Sequence, residues 1–221
     1  MALPFLAIGT VVVLLGLLVT RLLDGTGAEQ ADAAAGRWFA ANRTPTGITL
    51  TQFGTLFGET LTIVALTAAT AGVFRVVYRR WRESVLLVFC VVAQALVFMI
   101  TTMLIDRERP PVSQLDESPP TSSFPSGHTA AATAFYCGTA LVIAWHTRRV
   151  WLKALVGVLG FLIPVLVATC RMYRGMHYPS DTATSLLLGL SLLTVALLLL
   201  PLGTAGQVPG TRAGPREPTP V

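Results

Sequence analysis

Apolar runs of membrane-spanning length recur along the whole chain, separated by short polar segments. A helix needs about 20 mostly apolar residues to cross a bilayer. The composition agrees, because 53% of the residues are hydrophobic and only 12% are charged, whereas soluble domains carry about 25% charged residues. We therefore expect an all-α, polytopic membrane helix bundle with about six transmembrane helices. The predicted spans are 3–23, 59–78, 84–105, 127–145, 150–169 and 182–201.

Three other segments need separate interpretation. A signal peptide is the alternative for 3–23, but no positive charge precedes this run and it is too long, which favours a retained helix. Segment 24–58 is of mixed polarity and predicts a short interfacial helix and a turn. We expect 1–201 to form one membrane-embedded domain. The Gly- and Pro-rich tail, 202–221, is predicted to be disordered and cytoplasmic.

Basic residues between the predicted spans set the orientation. They cluster in the loops after spans two and four, which the positive-inside rule places in the cytoplasm. Both termini are then cytoplasmic, and loops 24–58, 106–126 and 170–181 lie on the extracytoplasmic side of the plasma membrane. The net charge of +5 does not indicate a nucleic-acid partner, because the basic residues share no polar face. The loop residues in question are Arg79, Arg80, Arg82, Arg148, Arg149 and Lys153.

Two of the three histidines fall in the extracytoplasmic loops or beside them. His177 precedes Asp181 by one helical turn, and Pro179 favours a helix start between them. A carboxylate there could accept a hydrogen bond from one imidazole nitrogen and leave the other nitrogen free to attack. The alternative is that Asp181 only caps the helix and His177 only lies at the interface.

The segment Pro-Ser-Gly-His, residues 125–128, opens predicted span four. Ser126 is suited to cap the helix, and Gly127 lets a ligand approach the backbone. The free N–H groups of a helix start favour an anion. His128 would then be placed to protonate a leaving oxygen. A simple capped helix is the alternative interpretation.

Arginines in the same loops complete a pattern typical of phosphoryl transfer. Arg109 follows span three and Arg171 follows span five, and guanidinium groups bind phosphate oxygens in a bidentate way. Arg107 and Arg174 are possible helpers, or else solvated interface charges. The three cysteines show no CxxC pair and predict packed thiols.

The order and spacing of these residues resemble the type 2 phosphatidic acid phosphatase superfamily, the lipid phosphate phosphatases. The resemblance covers about residues 102–181 and implies a phosphohistidine on His177, oriented by Asp181, with His128 as general acid. It also implies phosphate contacts from Arg109, Arg171, Ser126 and Gly127, with no metal and no cofactor. The matching segments are Arg109-Pro110, Pro125-Ser126-Gly127-His128 and Cys170-Arg171-x5-His177-x3-Asp181.

Two positions depart from the family pattern. The family places a lysine seven positions before Arg109, where this chain has Thr102. Arg107 is one candidate to replace that charge, and the loss of one charge-assisted contact would cost about 1.5–3 kcal/mol. The other departure is Cys170, where the family has serine, and a thiol is the weaker donor.

The resemblance favours an integral-membrane phosphatase acting on a lipid phosphate or diphosphate, such as a polyprenyl diphosphate, phosphatidic acid or phosphatidylglycerol phosphate. The expected partners are this substrate and membrane lipids, and the sequence leaves the oligomeric state open. A second hypothesis is a metal-dependent hydrolase with His128, His177 and Asp181 as ligands. A third is a degenerate family member that binds or transports lipid phosphate without hydrolysis.

Overall fold

The computed structural model describes residues 2–22, 25–117 and 120–199. Every regular element in these ranges is a helix, which confirms the expected all-α class. Two π-helical turns, Leu18–Leu22 and Thr133–Cys137, interrupt the α-helical geometry. The helices are α1 (Ala2–Leu17), α2 (Gly27–Ala41), α3 (Pro45–Leu56), α4 (Thr60–Tyr78), α5 (Arg82–Leu104), α6 (Gly127–Ala132), α7 (Gly138–His146), α8 (Val150–Tyr173) and α9 (Pro179–Leu199).

Four of the described helices, α4, α5, α8 and α9, are long and apolar enough to cross a membrane. They match the second, third, fifth and sixth predicted spans. The fourth predicted span corresponds to α6, a π-helical turn and α7, which follow one another without a break over 127–146. The first corresponds to α1 and its π-helical turn, which contain a shorter apolar stretch, Leu6–Arg21. The predicted tail and the last residues of the first and sixth spans lie outside the described residues.

The polar segment before α4 folds into two helices, where the sequence predicted one short helix and a turn. Thr44 starts α3 with its side chain, which accepts a hydrogen bond from the Gly47 N–H at 3.0 Å, and Pro45 occupies the first turn. The Tyr173 hydroxyl at the end of α8 accepts a hydrogen bond from the Thr44 N–H at 2.8 Å. Both α2 and α3 therefore lie against α8, over one end of the bundle.

The centre of the bundle is formed by α5, α9 and the 127–146 helix. One apolar cluster joins Leu86 and Leu87 of α5 to Phe135 and Leu193. A second cluster packs Phe124 against α1, α5 and α9. The helices approach closely at Gly189, where an added Cβ would lie 2.6 Å from Thr133. α9 is thus packed tightly against the second π-helical turn.

A buried carboxylate joins the two basic loops at one end of the bundle. Glu83, at the start of α5, is fully buried and accepts a hydrogen bond from Arg80 Nε at 2.8 Å. The same oxygen lies 3.0 Å from His146 Nε2 at the end of α7, and the imidazole stacks on Tyr78 of α4 at 4.0 Å. Residues 79–82 and 146–149 therefore share one end, and loop 105–126 begins at the other end of α5.

Candidate active site

A cavity of about 470 Å³ lies at the end of the bundle that carries loop 105–126. Its polar wall includes both predicted catalytic histidines together with Arg109, Arg171 and Gly127. A second part of its lining comes from α4 and α5 and is mostly apolar. The structure therefore places most of the predicted site residues around one space. The apolar lining is Ile63, Val64, Val91, Ala95 and Phe98.

His177 lies in the turn between α8 and α9, where its side chain is buried. Its Nδ1 is 2.7 Å from the backbone carbonyl oxygen of Ser123. A carbonyl oxygen can only accept a hydrogen bond, so Nδ1 carries the proton and Nε2 keeps its lone pair. Burial lowers the pKa of His177, and the negative charge of Asp181 opposes that shift. The neutral imidazole therefore has a nucleophilic nitrogen at neutral pH.

Asp181 lies beside His177 in the first turn of α9 and is fully buried. Its Oδ2 accepts hydrogen bonds from Ser123 Oγ at 2.6 Å and from the Tyr178 N–H at 2.9 Å. The distance from Oδ2 to His177 Nδ1 is 3.7 Å. Asp181 thus caps the turn before α9 and also places a negative charge next to the imidazole. The hydrogen bond expected from His177 to Asp181 is made instead to the Ser123 carbonyl.

The Pro-Ser-Gly-His segment begins the 127–146 helix, as predicted, and the Phe124–Pro125 peptide bond before it is cis. His128 lines the cavity from the first turn. Gly127 also lines it, and a Cβ at this position would lie 3.0 Å from the ring of Phe98. A side chain at this position would therefore require the Phe98 ring to shift.

Ser126 occupies the cap position of this helix, but its hydroxyl does not bond to a backbone N–H of the first turn. The Ser126 hydroxyl lies 3.0 Å from Thr129 Oγ1. Its own N–H donates to Ser185 Oγ at 2.8 Å. Ser126 is fully buried, so in this structure it ties the helix start to α9.

The two predicted phosphate-binding arginines reach the cavity from different elements. Arg109 Nη1 donates to the Met176 carbonyl at 2.7 Å, and burial lowers the pKa of Arg109 against the opposing charge of Asp181. Arg171, at the end of α8, donates from Nη1 to Thr55 Oγ1 at 3.1 Å. Its Nε is buried and has no hydrogen-bond partner among the described residues. Arg171 also lines the cavity, and a guanidinium group at a cavity wall is suited to bind an anion.

Asp116 is a member of the site that the sequence interpretation missed. It lines the cavity, and its Oδ2 accepts from Arg171 Nη1 at 2.8 Å and from Arg174 Nε at 2.9 Å. Burial alone would raise the pKa of Asp116, but the hydrogen bond from Arg174 and the two positive charges outweigh it and lower the pKa. Nothing in the spacing of the acidic residues of loop 106–126 distinguishes Asp116 from Glu117 or Glu108.

Neither possible helper arginine is a solvated interface charge, so that alternative is wrong. Arg174 is 3% exposed and binds Asp116. The Arg107 side chain is 9% exposed and forms ion pairs with both Asp32 and Asp181. Arg107 is not among the residues that line the 470 Å³ cavity. Its guanidinium is bound to carboxylates, and the residue lines a neighbouring cavity of about 940 Å³ together with Arg109.

The two departures from the family pattern occupy different surroundings. Thr102 lines a neighbouring cavity of about 940 Å³ that it shares with Arg109, and its hydroxyl is buried and has no partner among the described residues. Cys170 is buried and packs against α3, since a Cβ on Gly54 would lie 2.4 Å from its Sγ. The serine-to-cysteine change therefore falls outside the cavity wall, whereas Thr102 borders Arg109.

The described residues contain no group of three or more His, Cys, Asp or Glu side chains arranged to hold a metal ion. His128 and His177 line the cavity with arginines as neighbours, and Asp181 is bound to Arg107. The polar wall is thus rich in fixed positive charge. This charge suits a phosphate group.

The family model of the PAP2 superfamily matches residues 83–203, which include α5 to α9 and the cavity-forming loop. The chain belongs to the PAP2 superfamily. This result confirms the resemblance seen in the sequence. The match begins at residue 83, so α2 and α3, which supply Asp32 and Thr55, precede it.

Two solved structures share this fold. A transmembrane PAP2 type phosphatidylglycerolphosphate phosphatase from Bacillus subtilis aligns with a TM-score of 0.76 and 24% identity, over 90% of this chain and 96% of that chain. LpxE from Aquifex aeolicus aligns with a TM-score of 0.57 and 21% identity, over 76% of this chain and 95% of that chain. No curated protein matches the sequence. The chain therefore has the fold of the PAP2 membrane phosphatases.

Proposed function

We propose that this PAP2 protein is a phosphatase that hydrolyses a lipid phosphate or diphosphate through a phosphohistidine on His177. The observation that carries the proposal is the hydrogen bond from His177 Nδ1 to the Ser123 carbonyl, which leaves Nε2 unprotonated at a cavity wall lined by Arg109 and Arg171. A nucleophile beside two guanidinium groups is the arrangement that phosphoryl transfer requires.

The first half of the reaction transfers the phosphoryl group to the enzyme. The Nε2 lone pair of His177 forms a bond to phosphorus, and the bond from phosphorus to the leaving oxygen breaks. The negative charge of the bound phosphate favours the protonated form of His128, which gives its proton to that oxygen. The leaving group is then an alcohol or, from a lipid diphosphate, a lipid monophosphate. The phosphorylated imidazole is cationic, and the carboxylate of Asp181, 3.7 Å from Nδ1, offsets its charge.

The second half releases phosphate. A water molecule forms a bond to phosphorus, and the bond to Nε2 breaks. Neutral His128 accepts the proton of the water and returns to its starting state. Arg109 and Arg171 neutralise the phosphoryl oxygens in both halves, since their charge does not depend on pH in the neutral range. The sum is the addition of one water molecule to the substrate, with no net change in the enzyme.

The shape of the cavity supports a lipid substrate. The polar wall lies next to apolar residues of α4 and α5, so a phosphate can occupy the polar side while its hydrocarbon tail contacts the apolar side. The substrate class of the Bacillus subtilis relative, phosphatidylglycerolphosphate, agrees with this arrangement. We propose that the cavity faces the extracytoplasmic side of the plasma membrane, because the basic loops lie at the other end of the bundle.

The test is phosphate release from phosphatidic acid, phosphatidylglycerol phosphate and undecaprenyl diphosphate by purified protein in detergent. We expect release from at least one lipid, a loss to background in His177→Ala, and a loss of about 100-fold to 10,000-fold in His128→Ala. The matched control is Arg148→Gln, which changes an exposed residue of the basic loop at the other end of the bundle. It should retain wild-type activity per folded molecule.

Three outcomes would contradict parts of the proposal. Full activity in His177→Ala would refute the nucleophile. Activity that disappears with a chelator and returns with zinc would favour the metal-dependent hydrolase. Vanadate binding without turnover of any lipid would favour the degenerate member, for which the missing lysine at Thr102 is the supporting observation.

A further inference from the structure

Asp181 receives a second contact on the side away from His177. Its Oδ2 faces Ser123 and Tyr178, and its Oδ1 forms an ion pair with Arg107 Nη1. A fully buried carboxylate needs such a partner, because an isolated charge in a low-dielectric site is strongly unfavourable. The position of Asp181 beside the imidazole therefore depends on the position of Arg107.

Arg107 is in turn held by a carboxylate from α2. Its Nη2 donates to Asp32 Oδ2 at 2.9 Å, and its Nη1 also donates to Ser180 Oγ at 2.8 Å. The guanidinium lies over the ring of Tyr178, 4.2 Å from the centroid. The planar guanidinium of Arg107 thus bridges two carboxylates on different helices, which fixes the positions of both carboxylates.

Asp32 also binds the start of α9 directly. Its Oδ1 accepts from the Ser180 N–H at 3.1 Å, and its Oδ2 accepts from the Ser180 hydroxyl. This N–H belongs to the first turn of α9, where helix N–H groups have no partner within the helix. The Asp32 side chain is 11% exposed. It therefore connects α2 to the helix turn that carries Asp181.

The charges explain why the second carboxylate matters. With Asp32 present, the single positive charge of Arg107 is shared between two negative groups. Without Asp32, Arg107 would be paired with Asp181 alone, and Asp181 would offer less negative charge to a cationic phosphoimidazole. The guanidinium would also lose one of its two anchors, so both the charge and the position of Asp181 would change.

We propose that Asp32 is a positioning residue of the reaction, acting through Arg107 and Ser180 on the Asp181 carboxylate that stabilises phosphorylated His177. This inference rests on the proposed phosphohistidine function. It assigns a role to α2, which precedes the segment matched by the PAP2 family model. Asp32 touches no substrate in this arrangement, so its effect belongs to the turnover step and not to substrate binding.

The test compares kcat and KM for the best lipid substrate in Asp32→Asn and Asp32→Glu. We expect Asp32→Asn to lower kcat about ten-fold while KM changes less than about two-fold, and Asp32→Glu to recover part of the loss. The matched control is Glu29→Gln, which removes an exposed carboxylate one turn earlier on α2 and should keep wild-type kcat. Thermal unfolding of each variant normalises kcat to folded protein.

A double variant tests the route through Arg107. If Asp32 acts through this arginine, Asp32→Asn should reduce kcat by less than about two-fold in an Arg107→Gln background. The inference would be overturned if Asp32→Asn kept the wild-type kcat or changed only KM. An equal loss of kcat in Glu29→Gln would also overturn it. These results leave the proposed function standing if His177→Ala is inactive. A wild-type protein that releases no phosphate from any lipid overturns both.

Discussion

Asp116 places a carboxylate where a substrate phosphate would meet Arg171. Its carboxylate accepts hydrogen bonds from Arg171 Nη1 at 2.8 Å and from Arg174 Nε at 2.9 Å. A carboxylate and a phosphate bind guanidinium through the same donors, so they compete for Arg171. Arg171 also lines the cavity, so a phosphate bound there would reach the same guanidinium. At the scale of single residues, the affinity for phosphate thus depends on how much stronger the Arg171–phosphate pair is than the Arg171–Asp116 pair it replaces.

Asp116→Asn should therefore bind inorganic phosphate and vanadate more tightly. Removing the competing charge should lower their inhibition constants about three-fold to ten-fold, which corresponds to about 0.7–1.4 kcal/mol. The measurement is competitive inhibition of lipid-phosphate hydrolysis. Glu108→Gln, an exposed carboxylate in the same loop, is the matched control and should leave both constants unchanged. Weaker inhibition in Asp116→Asn would show that Asp116 supports the anion site and does not compete with it.

At the scale of elements, the contact between α9 and the π-helical turn 133–137 holds the two histidine-bearing segments together. Gly189 permits this contact, because Thr133 fills the space that a side chain would need. The Ser126 N–H bond to Ser185 Oγ joins the same two helices closer to the cavity. The distance between His128 and His177 therefore depends on how closely these helices pack.

Gly189→Ala should destabilise the protein although alanine favours helix formation by about 1 kcal/mol. The added methyl group would lie 2.6 Å from Thr133, and overpacking of this kind costs about 1–3 kcal/mol. Gly157→Ala on α8 is the matched control, since nothing lies within 4 Å of its Cβ position. Thermal unfolding in detergent should show a lower midpoint for the first variant only. Equal midpoints for the two variants would mean that α9 can move away from the π-helical turn at no cost in stability.

Element starts were more predictable than contacts between elements. Pro179 predicted the start of α9 correctly because a proline in the first turn is a local preference. The split of segment 24–58 into α2 and α3 was missed, because Thr44 and Pro45 form a local start signal inside a segment that was interpreted only from its mixed polarity. The role of Asp32 has no local signal, since its partners lie 75 or more residues away in the chain.

At the scale of the whole molecule, the two basic loops and the cavity lie at opposite ends of the bundle. Glu83 ties residues 79–82 to the end of α7. At the other end, the Arg174 guanidinium donates to the Leu115 carbonyl and so ties loop 105–126 to the end of α8. The sequence predicted this separation from charge alone, because the positive-inside rule depends on loop composition and not on folding. It could not predict Ser123, whose backbone carbonyl replaces Asp181 as acceptor for His177.

The orientation can be tested with single cysteines and a membrane-impermeant maleimide in intact cells. Glu108→Cys, in the loop at the cavity end, should be labelled, whereas Arg148→Cys should be labelled only after permeabilisation. The native cysteines, Cys90, Cys137 and Cys170, are buried and provide a low background. Labelling of Arg148→Cys in intact cells would place the basic loops outside and reverse the proposed topology.

The contacts of Glu83 hold three helix ends together at the end of the bundle away from the cavity. The ends of α4 and α7 and the start of α5 meet there through Tyr78, His146 and Glu83. When a rigid helix rotates about one fixed end, the displacement of each residue grows with its distance from that end. Phe98 lies about 22 Å further along α5, so a tilt of about 5° there would open the cavity side by about 2 Å. A tilt of α5 about this end would therefore change the width available to a lipid tail at the cavity.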